Sequence, residues 1–198
     1  CLLAKGKVEV NKGDSWQPLK LGAVLDNGHK IRTGDDGFTA LVFTDDKSQI
    51  KIRPNTEIQV NAERNEDQSL AKRVNMEIGE LFADVKKQKG TMQIATPTAV
   101  ASIKGTQFWV IVSPTGETLQ LTLEGMVELL SILTGERTDV GGGQAGQVMA
   151  DGTIVSSPIN QDNIPQFQGV PNSKFIEIHA VDENGNEKTI ILQYTEEE

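Results

Sequence analysis

Apolar and polar residues alternate with a period of two in many short segments of the chain, such as the one around Ile50 and Ile52. Turn residues such as Asn27-Gly28 and Pro114-Thr115-Gly116 separate these segments, which recur at intervals of about 8 to 12 residues. Because side chains on a strand point alternately to its two faces, each segment predicts a half-buried β-strand. The sequence therefore predicts an all-β fold of rolled or solenoid-like layers. The predicted strands cover the apolar positions within residues 8–10, 31–33, 38–43, 50–52, 58–60, 78–85, 92–95, 100–103, 108–112, 119–123 and 126–133.

Glycine opens several of the predicted strands, at Gly6, Gly79, Gly105 and Gly125. The intervals between these glycines are unequal, so the pattern does not predict a solenoid with one identical rung per repeat. Glycine in a strand often marks a bend. We expect it to permit the bends at which one strand passes to the next layer.

Two segments interrupt the alternation. Residues 61–74 are almost wholly polar, which predicts an exposed loop or one short helix with Leu70 and Val74 touching the body. Residues 156–173 contain three prolines together with Asn, Gln and Ser, a composition typical of an extended linker. The sequence thus predicts a β body over residues 5–155, followed by the linker.

Residues 174–198 form a predicted tail. Two segments rich in β-branched residues flank Asn184-Gly185, a dipeptide that tolerates the positive φ angles of a type I′ turn. The tail is therefore predicted to be a β-hairpin. Because a lone two-stranded ribbon is marginally stable in water, we expect the hairpin to dock on the body.

The chain has 198 residues with 28 acidic and 19 basic side chains, which gives a formal net charge of −9. This balance argues against binding to nucleic acid or to an anionic membrane surface, because both need clustered Lys and Arg. One Cys and two His exclude disulfide frameworks and zinc sites built from Cys and His, and we expect no cofactor and no metal. No segment approaches the roughly 18 to 20 apolar residues of a membrane-spanning helix.

Residues 1–4 read Cys-Leu-Leu-Ala and run directly into the first predicted strand. This apolar stub resembles the end of a secretory signal. Alternatively, Cys1 is the lipid-bearing first residue of an exported lipoprotein, or the stub is an arbitrary boundary of the sequence. We expect a periplasmic or secreted location, where a core of this size needs no disulfides.

Candidate catalytic groups are few. Asp35-Asp36 and Asp45-Asp46 are adjacent carboxylates, but neighbours on a strand point to opposite faces, and turn chemistry is the favoured interpretation of both pairs. The single thiol belongs to Cys1, and His29 and His179 are far apart in the sequence, which leaves no nucleophile with an evident base. The sequence therefore predicts that the protein is not an enzyme.

Trp16, Trp109 and Tyr194 are the candidate partner-binding residues. Trp109 follows Phe108 within a predicted strand, so the two side chains point to opposite faces. If one face is open, an outward Trp109 offers a contact for a partner protein or a sugar ring. If a second layer covers both faces, Trp109 is a core residue, and the sequence leaves both interpretations open.

Several motifs follow one another in a recognisable order. The first half contains Gly6-Lys7-Val8-Glu9-Val10, Trp16-Gln17-Pro18-Leu19 with Gly22, Ile31-Arg32-Thr33-Gly34-Asp35-Asp36-Gly37 and Pro54-Asn55-Thr56. The second half contains Thr96-Pro97-Thr98-Ala99-Val100-Ala101-Ser102-Ile103-Lys104-Gly105-Thr106-Gln107-Phe108-Trp109-Val110, Glu124-Gly125-Met126-Val127 and Ala145-Gly146-Gln147. Together these motifs resemble the FecR-type domain of bacterial cell envelopes over roughly residues 5–155. The family-motif residues, for which we expect structural roles, are Gly34, Gly37, Pro97, Gly105, Thr106, Gly125 and Gly146.

The resemblance implies an extracytoplasmic all-β module. In the best-known members this domain lies in the periplasm and contacts the signalling domain of an outer-membrane iron-complex transporter. Those members transmit the signal through a membrane helix to a cytoplasmic anti-sigma segment. Because no membrane helix is predicted here, the chain looks more like the stand-alone exported members.

Our first functional hypothesis is a non-catalytic envelope module that contacts another envelope protein in signalling or regulation, through a sheet edge or through the hairpin. One alternative is a module that binds glycan or peptidoglycan through exposed aromatic residues. Another is the periplasmic part of a FecR-type anti-sigma regulator of iron uptake.

Overall fold

The computed structural model describes residues 1–13, 15–66, 69–87, 90–167, 173–181 and 187–195. The chain divides into two compact units, Cys1–Ile164 and Pro165–Glu198. The strands of the first unit are β1 (Leu3–Lys5), β2 (Val8–Asn11), β3 (Trp16–Pro18), β4 (Lys30–Thr33), β5 (Phe38–Val42), β6 (Gln49–Ile52), β7 (Glu57–Arg64), β8 (Leu70–Asp84), β9 (Met92–Ala95), β10 (Ala99–Ile103), β11 (Gln107–Val112), β12 (Thr118–Glu124), β13 (Met126–Ser131), β14 (Arg137–Gly141), β15 (Gln144–Val148) and β16 (Ile154–Pro158). A short 3₁₀ helix, Gln161–Asn163, follows β16.

The strands of the first unit form one continuous mixed sheet that doubles over into two layers and does not close into a barrel. Layer 1 has the order β1-β5-β6-β8-β11-β12-β15-β16. Layer 2 has the order β3-β2-β4-β7-β8-β9-β10-β13-β14. Among the described strands only β8 and β9 pair in parallel. The predicted all-β fold of layered sheets is confirmed.

Strand β8 belongs to both layers. Its first part pairs with β7 and β9 in layer 2, and its last part pairs with β6 and β11 in layer 1. The change of layer falls at Gly79, which has a φ of 109°, and a Cβ there would lie 2.2 Å from Oγ1 of Thr56. A residue with a side chain is strained at that angle and has no room for it. The prediction that glycine permits a change of layer is confirmed at this position.

The core lies between the two layers. Ile31 and Ile58 of layer 2 and Ile50 and Leu81 of layer 1 belong to a single buried apolar cluster. Alternation along each strand brings these side chains to the inner faces, as in β6 and β7, whose buried residues occur at every second position. Burial of one such side chain contributes roughly 1.5 to 3 kcal/mol. A shift of the strand register by one residue would expose these side chains, so their burial fixes the register.

The prediction of a loop or short helix over residues 61–74 is wrong. Strands β7 and β8 continue through this segment as a hairpin, which Asn65 N–H helps to close by donating to the carbonyl of Ser69 at 2.8 Å. The segment is polar because its outward positions are exposed, as at Arg73, and because one inward position is occupied by a charged residue, Lys72. Val74, the next inward position, is fully buried.

The second unit contains β17 (Ser173–Val181) and β18 (Glu187–Thr195), which pair antiparallel from Ser173 opposite Thr195 to Val181 opposite Glu187. The predicted C-terminal hairpin is confirmed. The predicted Asn184-Gly185 turn lies outside the described residues, and docking of the hairpin on the body stays a prediction.

One polar side chain is buried in the core without full hydrogen bonding. Gln120 of β12 is fully buried, and its Nε2 donates to Oγ1 of Thr122 at 2.8 Å. The Thr122 hydroxyl in turn donates to the carbonyl of Val140 at 2.9 Å. Within the described part of the chain, Oε1 of Gln120 has no hydrogen-bond partner. An unsatisfied buried acceptor destabilises the folded state.

Replacement of Gln120 by Met is therefore expected to raise the free energy of unfolding by about 1 kcal/mol. Met has a similar volume and removes the unsatisfied oxygen, while the Thr122 hydroxyl keeps its bond to Val140. Thermal unfolding followed by circular dichroism should show a midpoint higher by roughly 2 to 4 °C. Gln120→Ala is the control and should lower the midpoint, because it leaves a cavity. A lower midpoint for Gln120→Met would contradict the prediction, because the amide would then stabilise the core more than its unpartnered oxygen destabilises it.

Candidate functional site

A row of residues paired in register crosses layer 1 on the face opposite the core. Phe108 and Val110 of β11 belong to the core, so Trp109 between them lies on the other face. Cross-strand pairing extends the row from Trp109 in both directions. We call these residues the outer row: Leu3, Ala40, Lys51, Phe82, Trp109, Leu121, Ala145 and Ser157.

Trp109 is buried in the outer row, which agrees with the interpretation of it as a core residue and not with the interpretation of an exposed indole. Its side chain is 2% exposed, and the ring centroids of Trp109 and Phe82 lie 5.3 Å apart. Leu121, which pairs with Trp109 from the neighbouring strand β12, is also 2% exposed. The burial of Trp109 shows that the outer face of layer 1 is covered at this position, which was the alternative interpretation of the sequence. Trp109 is not available for direct contact with a partner.

Burial in the outer row extends to a charged group. Lys51 lies opposite Phe82, and its Nζ is 5.8 Å from the centroid of that ring. Burial lowers the pKa of Lys51, while the charge of Asp84 acts in the opposite direction. The long apolar stem of Lys51 thus continues the row beside the aromatic residues.

The other two aromatic candidates lie elsewhere. Trp16 is partly exposed on β3, and Cζ of Arg32 lies 4.2 Å from its ring centroid. Nε of Arg32 donates to Glu9 at 2.8 Å, and this bond lowers the pKa of the Glu9 carboxyl. The guanidinium therefore covers part of the Trp16 ring. Tyr194 lies on β18 in register with Lys174, in the second unit.

Glycines of the family motifs lie where a neighbouring backbone or side chain approaches closely. Gly34 N–H donates to the carbonyl of Lys7 at 2.9 Å, and a Cβ on Gly37 would lie 2.3 Å from the same oxygen. A Cβ on Gly146 would lie 2.7 Å from a methyl group of Val140 in the core. These contacts indicate roles in packing and turn formation.

The remaining motif residues also form turns. Thr106 follows Gly105 and exchanges both backbone hydrogen bonds with Val85, while its hydroxyl donates to the carbonyl of Met126 at 2.9 Å. That bond holds the turn at Gly125. Pro97 lies between β9 and β10, in the turn that Thr96 closes through its hydroxyl.

The two layers have four edges, and three of them are protected against strand pairing. β1 and β3 are three residues long, and β3 ends in Pro18. β14 carries two exposed charged residues, Arg137 and Asp139. Short length, proline and charge are the usual means by which natural sheets block further pairing. β16 has five residues, Ile-Val-Ser-Ser-Pro, with no charge, and four of them are exposed.

An apolar turn lies beside β16. Ile132 and Leu133 are 53% and 67% exposed in the turn between β13 and β14. This turn packs on the turn before β16, where Thr134 Oγ1 donates to the carbonyl of Gly152 at 3.3 Å and a Cβ on Gly152 would lie 2.9 Å from Cβ of Leu133. We call Ile132, Leu133 and β16 together the terminal edge surface. Val155 within it is 50% exposed.

A family model described as FecR protein matches residues 29–128, which is half of the chain. The chain belongs to the FecR family. The resemblance seen in the sequence is therefore confirmed. The matched FecR region runs from β4 to β13 and includes the change of layer at Gly79, whereas β16 lies beyond it.

Solved structures support the fold of this FecR-family chain. Two crystal structures of a candidate anti-sigma factor from Parabacteroides distasonis ATCC 8503, at 1.65 and 2.50 Å resolution, each align with a TM-score of 0.56 at 17% identity. Each alignment covers 65% of this chain and 59% of the other, so the chain matches less than two thirds of that protein's length. At this identity the similarity concerns the fold. A search of curated proteins found no match.

A buried ion cluster in the FecR body was missed by sequence reasoning. Nζ of Lys72 lies 2.7 Å from Oδ2 of Asp45 and 2.5 Å from Oδ2 of Asp46, and the Lys72 side chain is fully buried. Asp46 also accepts from the N–H of Ser48 at 2.9 Å, so the expected turn chemistry is present as well. The sequence signal that could have revealed this cluster is the spacing of Lys72 two residues before Val74, which places both side chains on the inward face of one strand. The cluster joins the β5–β6 turn of layer 1 to β8 in layer 2.

No group of His, Cys, Asp and Glu that could hold a metal ion occurs among the residues that the FecR-family structure describes. In the same part of the chain, no helix has both the length and the apolar character needed to cross a membrane.

Proposed function

We propose that this FecR-family chain is a non-catalytic module of the bacterial envelope that contacts another envelope protein in signalling or regulation, in a periplasmic or secreted location. The observation that carries the proposal is the terminal edge surface, where an exposed apolar turn adjoins an uncharged edge strand. Membership of the FecR family supports a regulatory, extracytoplasmic role. The shared fold of a candidate anti-sigma factor is consistent with that role.

The exposed side chains of Ile132 and Leu133 favour protein contact over simple solvation. They are adjacent in a turn that hydrogen bonds hold in place, from Ser131 N–H to the Glu136 carbonyl at 2.9 Å and from Thr134 to Gly152. Exposed apolar residues on a fixed backbone lose little conformational entropy when a partner covers them. Such residues at the centre of a patch are typical of contact sites.

Cross-linking in envelope extract followed by mass spectrometry tests this proposal. We expect the full-length protein to enrich one envelope protein, and the double variant Ile132→Ser, Leu133→Ser to reduce that enrichment at least tenfold. The matched control is Leu21→Ser, Val24→Ser, because both residues are exposed and apolar but lie outside the terminal edge surface. This control should enrich the partner as the unsubstituted protein does.

The same experiment separates the alternatives. Equal enrichment by all three proteins would contradict a role for the apolar turn. Loss of the partner only after deletion of residues 165–198 would assign the contact to the hairpin. Identification of the partner as an outer-membrane transporter would favour the regulator of iron uptake, and recovery of cell-wall glycan alone would favour the glycan-binding alternative.

A further inference from the structure

The outward side of β16 offers backbone groups for a further strand. Met149 N–H donates to the carbonyl of Thr153, and Ile159 N–H donates to the carbonyl of Gly143, both at 2.9 Å. Hydrogen-bonded pairs alternate along antiparallel strands, so Val155 and Ser157 also bond toward β15. The N–H and C=O groups of Ile154 and Ser156 therefore point away from β15. Among the described strands, β16 pairs with β15 alone.

Pro158 occupies the next outward position of the same strand. Because its nitrogen would point away from β15, the missing N–H costs no bond within the sheet. This proline limits an added strand to the region of Ile154 and Ser156. The edge is thus open over its first part and blocked at its end.

Charge favours a basic partner over a second copy of the chain. Residues 138–173 contain Asp139, Asp151 and Asp162 and no Lys or Arg. Asp151 precedes β16 by three residues and Asp162 follows it by four, so both ends of the edge are acidic. Two such edges would repel each other, whereas a strand flanked by Lys or Arg would be attracted.

The outer row favours a large apolar side chain on the added strand. Toward the edge its residues become smaller, from Trp109 and Leu121 to Ala145 and Ser157. Ser157 is exposed, so a large side chain opposite it would extend the row onto open surface. The adjoining Ile132 and Leu133 add apolar area at the start of β16.

We propose that β16 binds its partner by strand addition, accepting an extended segment with an apolar centre and basic residues at both ends. This inference rests on the proposed protein contact and names its mode. Main-chain hydrogen bonds to Ile154 and Ser156 supply the alignment, and the acidic flanks select the charge. Such an edge binds short segments weakly and gains affinity when the neighbouring apolar turn is also covered.

A synthetic peptide, Lys-Lys-Val-Thr-Leu-Thr-Val-Lys-Lys, tests the proposal by isothermal titration calorimetry against the full chain. We expect binding, and at least tenfold weaker binding when all four Lys are replaced by Glu. Two further peptides carry N-methyl groups on one or the other alternate set of amides. Strand addition uses the amides of one side only, so one methylated peptide should bind at least tenfold more weakly while the other retains affinity.

Ser156→Pro is the matching change in the protein, with Ser156→Thr as control. Proline removes the outward N–H of Ser156 and leaves the bonds to β15, so we expect at least tenfold weaker peptide binding. Thr keeps the N–H and should bind as Ser does. If Ser156→Pro does not fold, the methylated peptides decide the question without any change in the protein.

Several results would overturn strand addition. These are no binding of the lysine peptide, equal binding of both methylated peptides, or equal binding by folded Ser156→Pro and Ser156→Thr. A dimer of the full chain that dissociates on Ser156→Pro would assign the edge to a second copy. If Ser156→Pro still enriches the envelope partner fully, strand addition is contradicted, while the proposed contact with an envelope protein is retained. If the protein enriches no partner, the proposed contact falls, whatever the peptides show.

Discussion

Replacement of Trp109 by Ala is expected to lower the free energy of unfolding by about 3 to 5 kcal/mol. The indole is 2% exposed, lies beside Phe82 and Leu121, and fills the middle of the outer row. Truncation removes its buried area and leaves a cavity between these neighbours. The cavity cannot collapse, because the backbones of the neighbouring strands are fixed in the sheet. Urea unfolding followed by far-ultraviolet circular dichroism measures the loss.

Trp16→Ala is the matched control for this indole. Trp16 is partly exposed on the edge strand β3, and its ring contacts Arg32. We expect a loss of no more than about 1 kcal/mol, since an exposed cation–π contact is weak. Equal losses for the two variants would contradict the burial of Trp109. The comparison also decides which variant tests glycan binding, because retention on cell-wall material can be interpreted only for Trp16→Ala, the variant expected to stay folded.

Replacement of Lys72 by Ala is also expected to destabilise the fold by about 3 to 5 kcal/mol. The change leaves the carboxylates of Asp45 and Asp46 close together without the cation that both contact. Asp46 dominates the cost because it is the less exposed of the two, while water partly stabilises Asp45. The midpoint of urea unfolding at neutral pH measures the effect.

A charge-free cluster serves as the control for Lys72. The triple variant Lys72→Met, Asp45→Asn, Asp46→Asn removes all three charges of the cluster. The amide oxygen introduced at position 46 can still accept the hydrogen bond that Ser48 N–H now donates to Asp46. We expect its stability to lie within about 1 to 2 kcal/mol of the unsubstituted protein. A triple variant as unstable as Lys72→Ala would show that the loss comes from packing against Phe43 and not from unpaired charge.

The alternation of apolar and polar residues predicted the strands because successive side chains on a strand point to opposite faces, one buried and one exposed. Ile50 and Ile52 point to the core, and Gly79 marks the bend, as the sequence indicated. Residues 61–74 were misassigned because a strand with an exposed outer face and one buried lysine carries few apolar residues. Local sequence does not reveal that Lys72 meets two carboxylates from another strand pair.

The candidate site was less predictable than the fold. The exposure of Trp109 depends on what covers the outer face of layer 1, and no alternation pattern contains that information. The free edge of β16 is likewise a property of topology. Its five residues lie across the predicted border between body and linker, and only their pairing with β15 shows that the strand ends the layer.

The sharing of β8 has a thermodynamic consequence. A long strand hydrogen-bonded on both sides in each of its halves cannot leave one layer while the other stays ordered. The body should therefore melt as a single cooperative unit, with amide hydrogen exchange slowest in β8 and fastest along the rims. A partner bound at an edge strand would then suppress local openings there and, because it binds only the folded body, would raise the melting temperature of the whole unit.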